Sequence, residues 1–181
     1  QPAPGQHTGY EYSRSGNPTR HALETAIADL ENGTRGYAFA SGLTAISTVL
    51  ELLDKDSHLV AVDDVYGGTY RLLENVRRRS AGLQVSWVKP DDLAGIDAAI
   101  CPDTRMIWVE TPTNPLLKLA DLAAIAAIAR RHNVISVADN TFASPVIHRP
   151  LESGFDIVVH SATKYLNGYS DVVAGLAVVG D

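Results

Sequence analysis

The sequence predicts an α/β fold in which a mostly parallel sheet is flanked by helices. Short runs of β-branched and aliphatic residues alternate with longer segments that have helical periodicity. The short runs are apolar at nearly every position, which is typical of strands that are covered by helices on both faces. Strands joined through helices form right-handed crossovers, and such crossovers build a parallel sheet. No internal repeat, low-complexity segment or interior linker interrupts the alternation.

Seven of these runs predict strands, and four intervening segments predict helices. The strands are residues 37–40, 58–63, 83–88, 106–110, 134–138, 157–159 and 175–179. The helices are residues 44–53, 69–79, 91–100 and 119–132. The last helix has the clearest period, because Leu122, Ile125, Ala126 and Ala129 recur at intervals of three and four. Its last turn carries two arginines, and cations at that end complement the helix dipole.

Composition indicates an ordinary globular protein and argues against several classes of partner. The 181 residues carry a formal net charge of −6, and 45% of them are hydrophobic. Negative charge argues against nucleic acids and anionic membranes as partners, and no apolar run is long enough to cross a bilayer. The single cysteine, Cys101, cannot form an internal disulfide, so we expect a reducing, cytoplasmic location.

The two ends of the sequence lead us to expect a longer polypeptide. The chain begins without Met, in a polar stretch that has no signal-peptide pattern. It stops directly after the apolar run 176–179, where further structure would be expected to follow. We therefore expect this chain to be truncated before a C-terminal domain.

Polar segments follow four of the predicted strands, and parallel strands bring such segments to one edge of the sheet. The segments are residues 41–44, 63–68, 139–141 and 161–164. Ser41 and Gly42 join a strand to a helix, where backbone N–H groups can bind a phosphate. Taken alone, a plain helix cap is the more common explanation. Ser161 and Thr163 lie two residues apart, so both hydroxyls can face phosphate oxygens or make hydrogen bonds within the loop.

Three side chains in these segments have the chemistry of a cofactor site. Lys164 follows an apolar strand, where desolvation would supply the neutral amine that a Schiff base requires, although position alone favours a surface lysine. Asp139 ends a buried strand and can keep a pyridine nitrogen protonated, or it can cap a helix or turn. Tyr66 can stack on a heterocycle, or it can be an ordinary half-buried tyrosine. A phosphate cup, a stacking ring, an acid and an amine rarely occur together by chance.

Six blocks of sequence, in a fixed order, extend this pattern from about residue 10 to residue 179. They are Tyr12-Ser13-Arg14 with Asn17-Pro18-Thr19-Arg20, Ala40-Ser41-Gly42-Leu43, Tyr66-Gly67-Gly68-Thr69, Glu110-Thr111-Pro112-Thr113-Asn114-Pro115, Asp139-Asn140-Thr141-Phe142 and Ser161-Ala162-Thr163-Lys164-Tyr165. Together they resemble the cystathionine γ-synthase/γ-lyase group of pyridoxal 5′-phosphate (PLP) enzymes of cysteine and methionine metabolism. Because the blocks are ordered and cover nearly the whole chain, the resemblance is more specific than a single motif.

The resemblance implies a role for each matching residue. Lys164 would form the internal aldimine with PLP and then move protons at the substrate α- and β-carbons. Tyr66, the second catalytic residue, would stack on the ring and help proton transfer, and Asp139 would pair with the pyridinium nitrogen. Asn114 would lie near the ring hydroxyl, with Thr141 beside the ring. The phosphate would be held by Gly42, Leu43, Ser161 and Thr163, and by Tyr12 and Arg14 from a neighbouring subunit.

Domain boundaries and an assembly follow from the same resemblance. Residues 1–35 would form an N-terminal arm and first helix that contact a neighbouring subunit. Residues 36–181 would form an incomplete PLP-binding large domain of fold type I. Active sites would be completed across the interface of a tight dimer, and two dimers would form a homotetramer. The family's C-terminal domain is absent here, and with it the arginine that clamps the substrate carboxylate. Tyr169 stands where the family pattern has His, a change that removes no cofactor contact.

The expected function is trans-sulfuration chemistry on a small sulfur amino acid, either cystathionine or an activated homoserine. Cystathionine γ-lyase and cystathionine γ-synthase are the main candidates, with the lyase favoured. Cystathionine β-lyase, O-acetylhomoserine sulfhydrylase and methionine γ-lyase are alternatives. Gly68 argues against the last of these, because methionine γ-lyases have cysteine there. An aminotransferase of the same fold and a cofactor-less binding module are the alternatives from other classes.

The sequence lacks the motifs that mark two other classes of α/β protein. No Gly-x-Gly-x-x-Gly follows the first strand, as a nicotinamide-dependent dehydrogenase requires, and there is no Gly-x-x-x-x-Gly-Lys of a P-loop NTPase. The histidines are scattered and form no His-x-x-x-His pair, so we expect no metal site.

Overall fold

A computed structural model describes Gln6 and residues 9–180. Part of the predicted N-terminal arm, residues 1–5, 7 and 8, lies outside the described residues. Seven strands are present in the described part: β1 (Arg35–Phe39), β2 (His58–Val62), β3 (Gln84–Val88), β4 (Thr104–Glu110), β5 (Ile135–Asp139), β6 (Ile157–Ser161) and β7 (Gly175–Val179). Each corresponds to one of the predicted strands.

Helices connect most of these strands. They are α1 (Pro18–Glu31), α2 (Gly42–Val49), α3 (Gly67–Arg71), α4 (Arg78–Ala81), α5 (Leu93–Ala99), α6 (Leu122–His132) and α7 (Ser144–Ile147). A π-helical segment, Leu72–Arg77, joins α3 to α4, so the single helix predicted over residues 69–79 is interrupted. Short 3₁₀ turns occupy Leu50–Leu52 and Pro150–Ser153. No helix in the described part of the chain is long and apolar enough to span a membrane.

The strands form one sheet in the order β1-β7-β6-β5-β4-β2-β3. Strands β2 to β6 pair with one another in parallel, whereas β7 is antiparallel to both β1 and β6. The prediction of a mostly parallel sheet flanked by helices is confirmed. Because β4, β5 and β6 point the same way, their carboxyl ends meet at one edge, where ligands bind in sheets of this kind.

Local capping explains where two helices begin. Asn17 caps α1: its side-chain oxygen accepts a hydrogen bond from the Arg20 N–H at 2.8 Å, and Pro18 occupies the first turn. Asp121 caps α6 by accepting the Ala124 N–H at 3.0 Å. The cap fixes the start of α6 at Leu122, later than the start at 119 that periodicity predicted.

The apolar core lies on both faces of the sheet, as the continuous apolar strands predicted. Every residue of β2 is buried, and Trp108 in the middle of β4 is 0% exposed. A smaller cluster packs α1 against β7 through Ile27, Ala28, Leu176 and Val178. This second cluster fixes α1, and therefore Glu31 at its end, beneath the sheet edge where β6 finishes.

His58 connects three strands at the opposite, amino edge of the sheet. Its Nδ1 lies 2.7 Å from the Thr104 hydroxyl of β4, and its Nε2 lies 2.9 Å from the Ser86 hydroxyl of β3. Burial lowers the pKa of His58, and Asp103 opposes part of that effect. The neutral imidazole is therefore the form that the folded protein accommodates.

We expect the protein to lose stability as pH falls below the usual histidine value of 6.5, and the His58→Gln variant to lose less. The unfolded chain protonates this histidine at a higher pH than the folded chain. Its contribution to stability is thus present above the unfolded pKa and lost as pH falls through the folded pKa. Thermal denaturation on both sides of pH 6.5 measures the effect, with His21→Gln as an exposed control. An equal loss in wild type and His58→Gln would assign the pH dependence to another group.

Candidate active site

A cavity of about 230 Å³ opens at the carboxyl edge of the sheet. Its lining comprises the helix start after β1, the ends of β4, β5 and β6, and the turn after β6. The predicted site residues on its wall are Gly42, Leu43, Tyr66, Asn114, Asp139, Thr141, Ser161, Thr163 and Lys164. Residues that lie far apart in sequence therefore meet here, as the strand-end rule predicted.

The start of α2 forms one end of the cavity. Ser41 caps this helix, and its hydroxyl oxygen accepts the Thr44 N–H at 3.1 Å. The N–H groups of Gly42 and Leu43 have no intrahelical acceptor, because they begin the helix. A β-carbon at Gly42 would lie 2.7 Å from the Cβ of Ser161. Glycine is thus required for the helix start to approach Ser161, and the two together make a cup of N–H and hydroxyl donors suited to an anion.

Thr163 adds a further hydroxyl to the wall of the cavity. Its Oγ1 accepts the Ala174 N–H at 3.2 Å, which ties the turn after β6 to the segment that leads into β7. A second, longer contact joins the same hydroxyl to the Ala174 carbonyl oxygen at 3.4 Å. The position of Thr163 is therefore fixed by backbone groups of a neighbouring segment.

Asp139 ends β5 beneath the cavity and is joined to β6 through Thr141. The Thr141 hydroxyl donates to Asp139 Oδ1 at 2.5 Å and accepts the Ser161 N–H at 2.9 Å. The Thr141 N–H also donates to Oδ1, at 3.1 Å. Oδ2 has no hydrogen bond to the residues described, so it is the oxygen available to a ligand. Burial raises the pKa of Asp139, whereas the Thr141 bonds and the charge of His160 lower it.

Glu110 lies beside Asp139, because the two residues are partners in the β4–β5 register. Its Oε2 accepts the Tyr66 N–H at 2.7 Å, which fixes the start of α3 against β4. Burial raises the pKa of Glu110 to about 8, and the neighbouring Asp139 carboxylate adds to this increase. Backbone N–H groups of Tyr66 and Asn114 oppose it in part. Below that pH the pair therefore carries fewer than two negative charges.

Tyr66 and Asn114 form the rim of the cavity on the side of α3. The Tyr66 ring lies over Gly68, where any β-carbon would collide with the ring. Asn114 belongs to the loop between β4 and α6, in which the Thr111–Pro112 and Asn114–Pro115 peptides are cis. This loop is held by Thr113, which donates its hydroxyl to Asp64 Oδ2 at 2.5 Å.

Lys164 lies in the turn directly after β6 and is exposed. Its position is set by a backbone hydrogen bond from its N–H to the Ser161 carbonyl oxygen at 3.1 Å. The expectation that Lys164 would be desolvated is not met within the described residues. The physical reason is that Lys164 lies beyond Ser161 and Gly175, the last residue pair of the β6–β7 ladder, so no strand covers it.

Tyr12 and Arg14 do not line the cavity of their own chain. Both are exposed, and the Arg14 guanidinium lies 5.0 Å from the centre of the Tyr12 ring. The Arg14 carbonyl oxygen accepts a hydrogen bond from the Arg20 side chain at 3.4 Å, which ties the segment to the start of α1. These two residues are thus separate from the other predicted site residues.

Several residues on the cavity wall were not predicted from the sequence. They are Ile46, Glu110, Phe142, Val159, His160 and Val173, whereas Ser41 belongs to a segment that was selected from the sequence. Glu110 has the same signal that selected Asp139, because it is the polar last residue of an apolar strand. Phe142 lies edge-on to Tyr165, with ring centres 5.6 Å apart. Nothing in the local sequence distinguishes Ile46, Val159 or Val173 from other core residues.

Comparisons with known proteins agree on the family. The family model for "Cys/Met metabolism PLP-dependent enzyme" matches residues 1–181. "Cystathionine beta-lyase" of Coxiella burnetii is 62% identical over 181 residues, which are all of this chain and 47% of that protein. "Cystathionine gamma-synthase/O-acetylhomoserine (thiol)-lyase" of Bacillus subtilis is 49% identical over 98% of this chain and 47% of its own length.

A solved structure shows the same likeness in three dimensions. It is cystathionine gamma-lyase from Lactobacillus plantarum complexed with L-serine, which is 51% identical and superposes with a TM-score of 0.97. The superposition covers 100% of this chain and 47% of that one. The chain therefore spans about half the length of the relatives that it matches.

We expect the Glu110→Gln variant to be more stable than the wild type above about pH 8 when no cofactor is added. A raised folded-state pKa contributes stability that is fully present below the unfolded value of 4.5 and lost as pH rises through the folded value. Glutamine keeps an acceptor for the Tyr66 N–H and has no charge to lose. Thermal denaturation across this pH range measures the difference, with Glu152→Gln as an exposed control. A stability difference that stays constant from pH 4.5 to 8 would contradict the raised pKa.

Proposed function

The chain belongs to the Cys/Met metabolism PLP-dependent enzyme family, and from this premise we propose that it is the cofactor-binding part of a carbon–sulfur lyase that acts on cystathionine. One observation carries the proposal. A single cavity brings together an anion cup, a buried carboxylate with one free oxygen, and a lysine amine on its rim. Each of these groups matches one functional part of PLP: the phosphate, the ring nitrogen and the aldehyde.

The cup at the start of α2 would hold the phosphate of PLP. Donors come from the N–H groups of Gly42 and Leu43 and from the hydroxyls of Ser161 and Thr163. The close approach of Gly42 to Ser161, which a β-carbon would prevent, supports this assignment because it leaves a bare backbone surface for the phosphate. Such a site binds an anion through dipoles and hydrogen bonds, without a charged side chain of its own.

Asp139 would hold the ring of PLP. Oδ1 of this carboxylate is held by Thr141, and we assign Oδ2 to the pyridinium nitrogen. Pairing with a cation would also offset part of the energetic cost of burying Asp139. Tyr66 would stack on the ring, Asn114 would meet its hydroxyl, and Thr141 would lie beside it.

Lys164 is assigned as the Schiff-base residue and as the group that moves protons. When bound, PLP acts as an electron sink that makes a substrate Cα–H bond acidic. The chain's own contribution is to present an exposed amine, Lys164, at the rim of the cavity that Tyr66 also lines. Both side chains are exposed, which gives them access to an entering amino acid.

We favour the γ-elimination of cystathionine, giving cysteine, 2-oxobutanoate and ammonia, with γ-synthesis from an activated homoserine as the second candidate. The names of the relatives include a γ-lyase, a γ-synthase/O-acetylhomoserine (thiol)-lyase and a β-lyase, so β-elimination is kept as an alternative. O-acetylhomoserine sulfhydrylase and methionine γ-lyase activities are also alternatives. Gly68 disfavours the last of these, since a cysteine side chain there would displace the Tyr66 ring.

We further propose that the site is shared between subunits of a homotetramer built from two tight dimers. Tyr12 and Arg14 are exposed and lie away from their own cavity, which suits donation to a neighbouring site by an arm comprising residues 1–35. Exposed apolar side chains next to the cavity-side loops also suit burial in an assembly: Leu116, Leu117, Leu119, Val146 and Ile147. The cytoplasm is the proposed compartment, and the free thiol of Cys101 suits its reducing conditions.

For the Lys164→Ala variant of the full-length protein, we expect loss of the visible absorbance of bound PLP. Turnover should fall by roughly 10²–10⁴-fold or more, because a positioned acid–base group is removed. Absorbance spectra and an L-cystathionine cleavage assay measure both effects. Lys55→Ala, an exposed lysine at the amino edge of the sheet, is the matched control. Wild-type turnover by Lys164→Ala would overturn the central assignment and favour a cofactor-less binding module.

Product analysis of the wild-type protein with L-cystathionine distinguishes the reactions. Cysteine with 2-oxobutanoate would support γ-elimination, and homocysteine with pyruvate would mean β-elimination. Synthesis of cystathionine from cysteine and an activated homoserine ester, without cleavage, would indicate the γ-synthase. Amino transfer to an oxo acid without C–S cleavage would identify an aminotransferase instead.

A mixed-subunit experiment tests the shared site. Arg14→Ala removes charge-assisted hydrogen bonds that are worth about 1.5–3 kcal/mol, and PLP affinity should fall by roughly ten-fold or more. Mixing Arg14→Ala subunits with Lys164→Ala subunits should restore activity at limiting PLP, because one site of each mixed dimer regains both residues. Arg105→Ala, at the amino edge of the sheet, is the control for removal of an arginine. Absence of recovery in verified mixed dimers would place Arg14 outside the neighbouring site.

A further inference from the structure

One carboxylate, Asp64, joins the two loops that form the rim of the cavity on the side of α3. The first loop follows β2 and carries Tyr66, and the second, residues 113–118, follows β4 and carries Asn114. Both of those side chains line the cavity. Asp64 Oδ2 accepts the hydroxyl of Thr113 at 2.5 Å, and Thr113 directly precedes Asn114. The carboxylate therefore links the two residues of the rim across a gap between separate loops.

The second loop is closed on itself and then attached to Asp64. The Thr113 N–H donates to the Lys118 carbonyl oxygen at 3.0 Å, and the Thr113 hydroxyl accepts the Lys118 N–H at 2.9 Å. The Leu116 N–H donates to Asp64 Oδ2 at 3.2 Å. One carboxylate oxygen thus accepts a hydroxyl and a backbone N–H from the same closed loop. Hydrogen bonds to an ionised acceptor are stronger than those between neutral groups.

Burial makes the bond between Thr113 and Asp64 difficult to replace. Thr113 is 0% exposed, so its hydroxyl has to be satisfied by the protein. Removal of the Asp64 carboxylate would leave a buried donor without its acceptor, and the loop would have to shift to satisfy it. The neighbouring ion pair between Lys118 and Asp63 is partly exposed at both ends, and such pairs contribute little. Asp64 is therefore the stronger of the two attachments.

The backbone of the second loop is strained, so its shape depends on these contacts. Leu117 has a φ of +54°, in the left-handed region that a leucine rarely adopts. Its N–H donates to the Thr113 carbonyl oxygen at 3.0 Å. Such strain persists only where surrounding contacts determine the conformation, and it is concentrated at functional sites. We therefore expect the loop, and Asn114 with it, to change position when the bonds to Asp64 are lost.

Tyr66 has an attachment of its own, which does not depend on Asp64. Its N–H donates to Glu110 Oε2 at 2.7 Å, and Glu110 belongs to the end of β4. Loss of the Asp64 carboxylate would thus leave this bond in place. The expected result is a change in the position of Asn114 relative to Tyr66.

We propose that Asp64 is a positioning residue that holds Asn114 where it can contact the cofactor ring together with Tyr66. The proposal rests on the proposed function, since that function assigns both residues to the ring of PLP. Asp64 acts through Thr113 and the closed loop, and it is not among the described residues that line the cavity.

The test uses the full-length protein and measures the PLP dissociation constant and the midpoint of the pH titration of the visible band. Asp64→Ala should raise the dissociation constant roughly five-fold, the effect of losing one hydrogen bond to the ring. It should also move the midpoint upward, because a side-chain N–H of Asn114 favours the ionised form of the ring hydroxyl. Asp64→Asn keeps an acceptor oxygen at the same position and should remain close to the wild type in both quantities.

Thr113 provides a second pair of variants at the other end of the same bond. Thr113→Val removes the hydroxyl at nearly constant size and should reproduce both shifts of Asp64→Ala. Thr113→Ser keeps the hydroxyl and should preserve the wild-type values. The comparison of valine with serine decides the question if Asp64→Ala fails to fold.

A double-mutant cycle with Asn114→Ala distinguishes positioning from a general effect on stability. If Asp64 acts through Asn114, the double variant should bind PLP no more weakly than Asn114→Ala alone, since the contact that Asp64 positions is already absent. Additive losses of affinity in the double variant would overturn the proposal. Asp64→Ala and Thr113→Val proteins that melt at a lower temperature but keep the wild-type affinity and midpoint would overturn it as well, because the bond would then be structural only.

Asp156→Ala is the matched control, because Asp156 has the same kinds of donor at the opposite edge of the sheet. Its Oδ2 accepts the N–H and the hydroxyl of Ser136, both at 2.7 Å, where β5 and β6 begin. This variant should lower the melting temperature and change neither PLP quantity. A shift as large as that of Asp64→Ala would show that the loss of any such carboxylate weakens PLP binding, and the proposal would be wrong.

The wild type and Asn114→Ala separate this failure from a failure of the proposed function. A wild type without any visible PLP band overturns the proposed function, and this inference with it. Wild-type affinity and midpoint in Asn114→Ala would remove Asn114 from the ring and overturn the inference, while the assignment of the family's cofactor stays. A normal wild-type band with unshifted Asp64→Ala and Thr113→Val variants overturns this inference alone.

Discussion

The burial of carboxylates beneath the carboxyl edge of the sheet is the constraint on which the rest of the site depends. Glu31, Glu110 and Asp139 are 0%, 5% and 6% exposed. A buried carboxylate is unfavourable unless it gains hydrogen bonds, a cation or a proton. Glu31 has the His160 ring, Glu110 has a pKa raised by burial to about 8, and Asp139 has the Thr141 hydroxyl. The unfavourable free energy of burying a carboxylate is thus offset in a different way at each of these three residues.

These solutions also hold the site together. The Thr141 hydroxyl that serves Asp139 accepts the Ser161 N–H, so the ends of β5 and β6 are fixed relative to each other. Glu110 accepts the Tyr66 N–H and thereby fixes the start of α3 to the end of β4. Because each bond crosses between elements that are distant in sequence, the positions of the cavity residues follow from satisfying buried polar groups. At this edge of the sheet, the hydrogen bonds that stabilise the buried carboxyl groups therefore also determine the geometry of the site.

Sequence reasoning predicted the part of this arrangement that depends on local pattern. Apolar runs identified the strands, and the rule that parallel strands end at one edge brought together Gly42, Asp139 and Lys164. Glu31 could not be found in this way, because a charged residue at a helix end normally faces solvent, and its partner His160 is 129 residues away. The start of α6 was predicted too early, because the helical periodicity extends back to residue 119. The Asp121 side chain caps the helix and so sets its start at Leu122.

The distribution of exposure within the cavity matches the tasks that its residues would perform. Gly42, Asp139 and Glu110 are buried, and their positions are fixed by close packing or by hydrogen bonds between elements. Lys164 and Tyr66 are exposed at the rim, where a side chain can change rotamer without disturbing the sheet. Groups that anchor a cofactor must stay in place, whereas groups that exchange protons with an incoming substrate must move. The edge of a sheet provides positions of both kinds. The strands are held by hydrogen bonds up to their last paired residues, whereas the turns that follow lie beyond the last strand pairs.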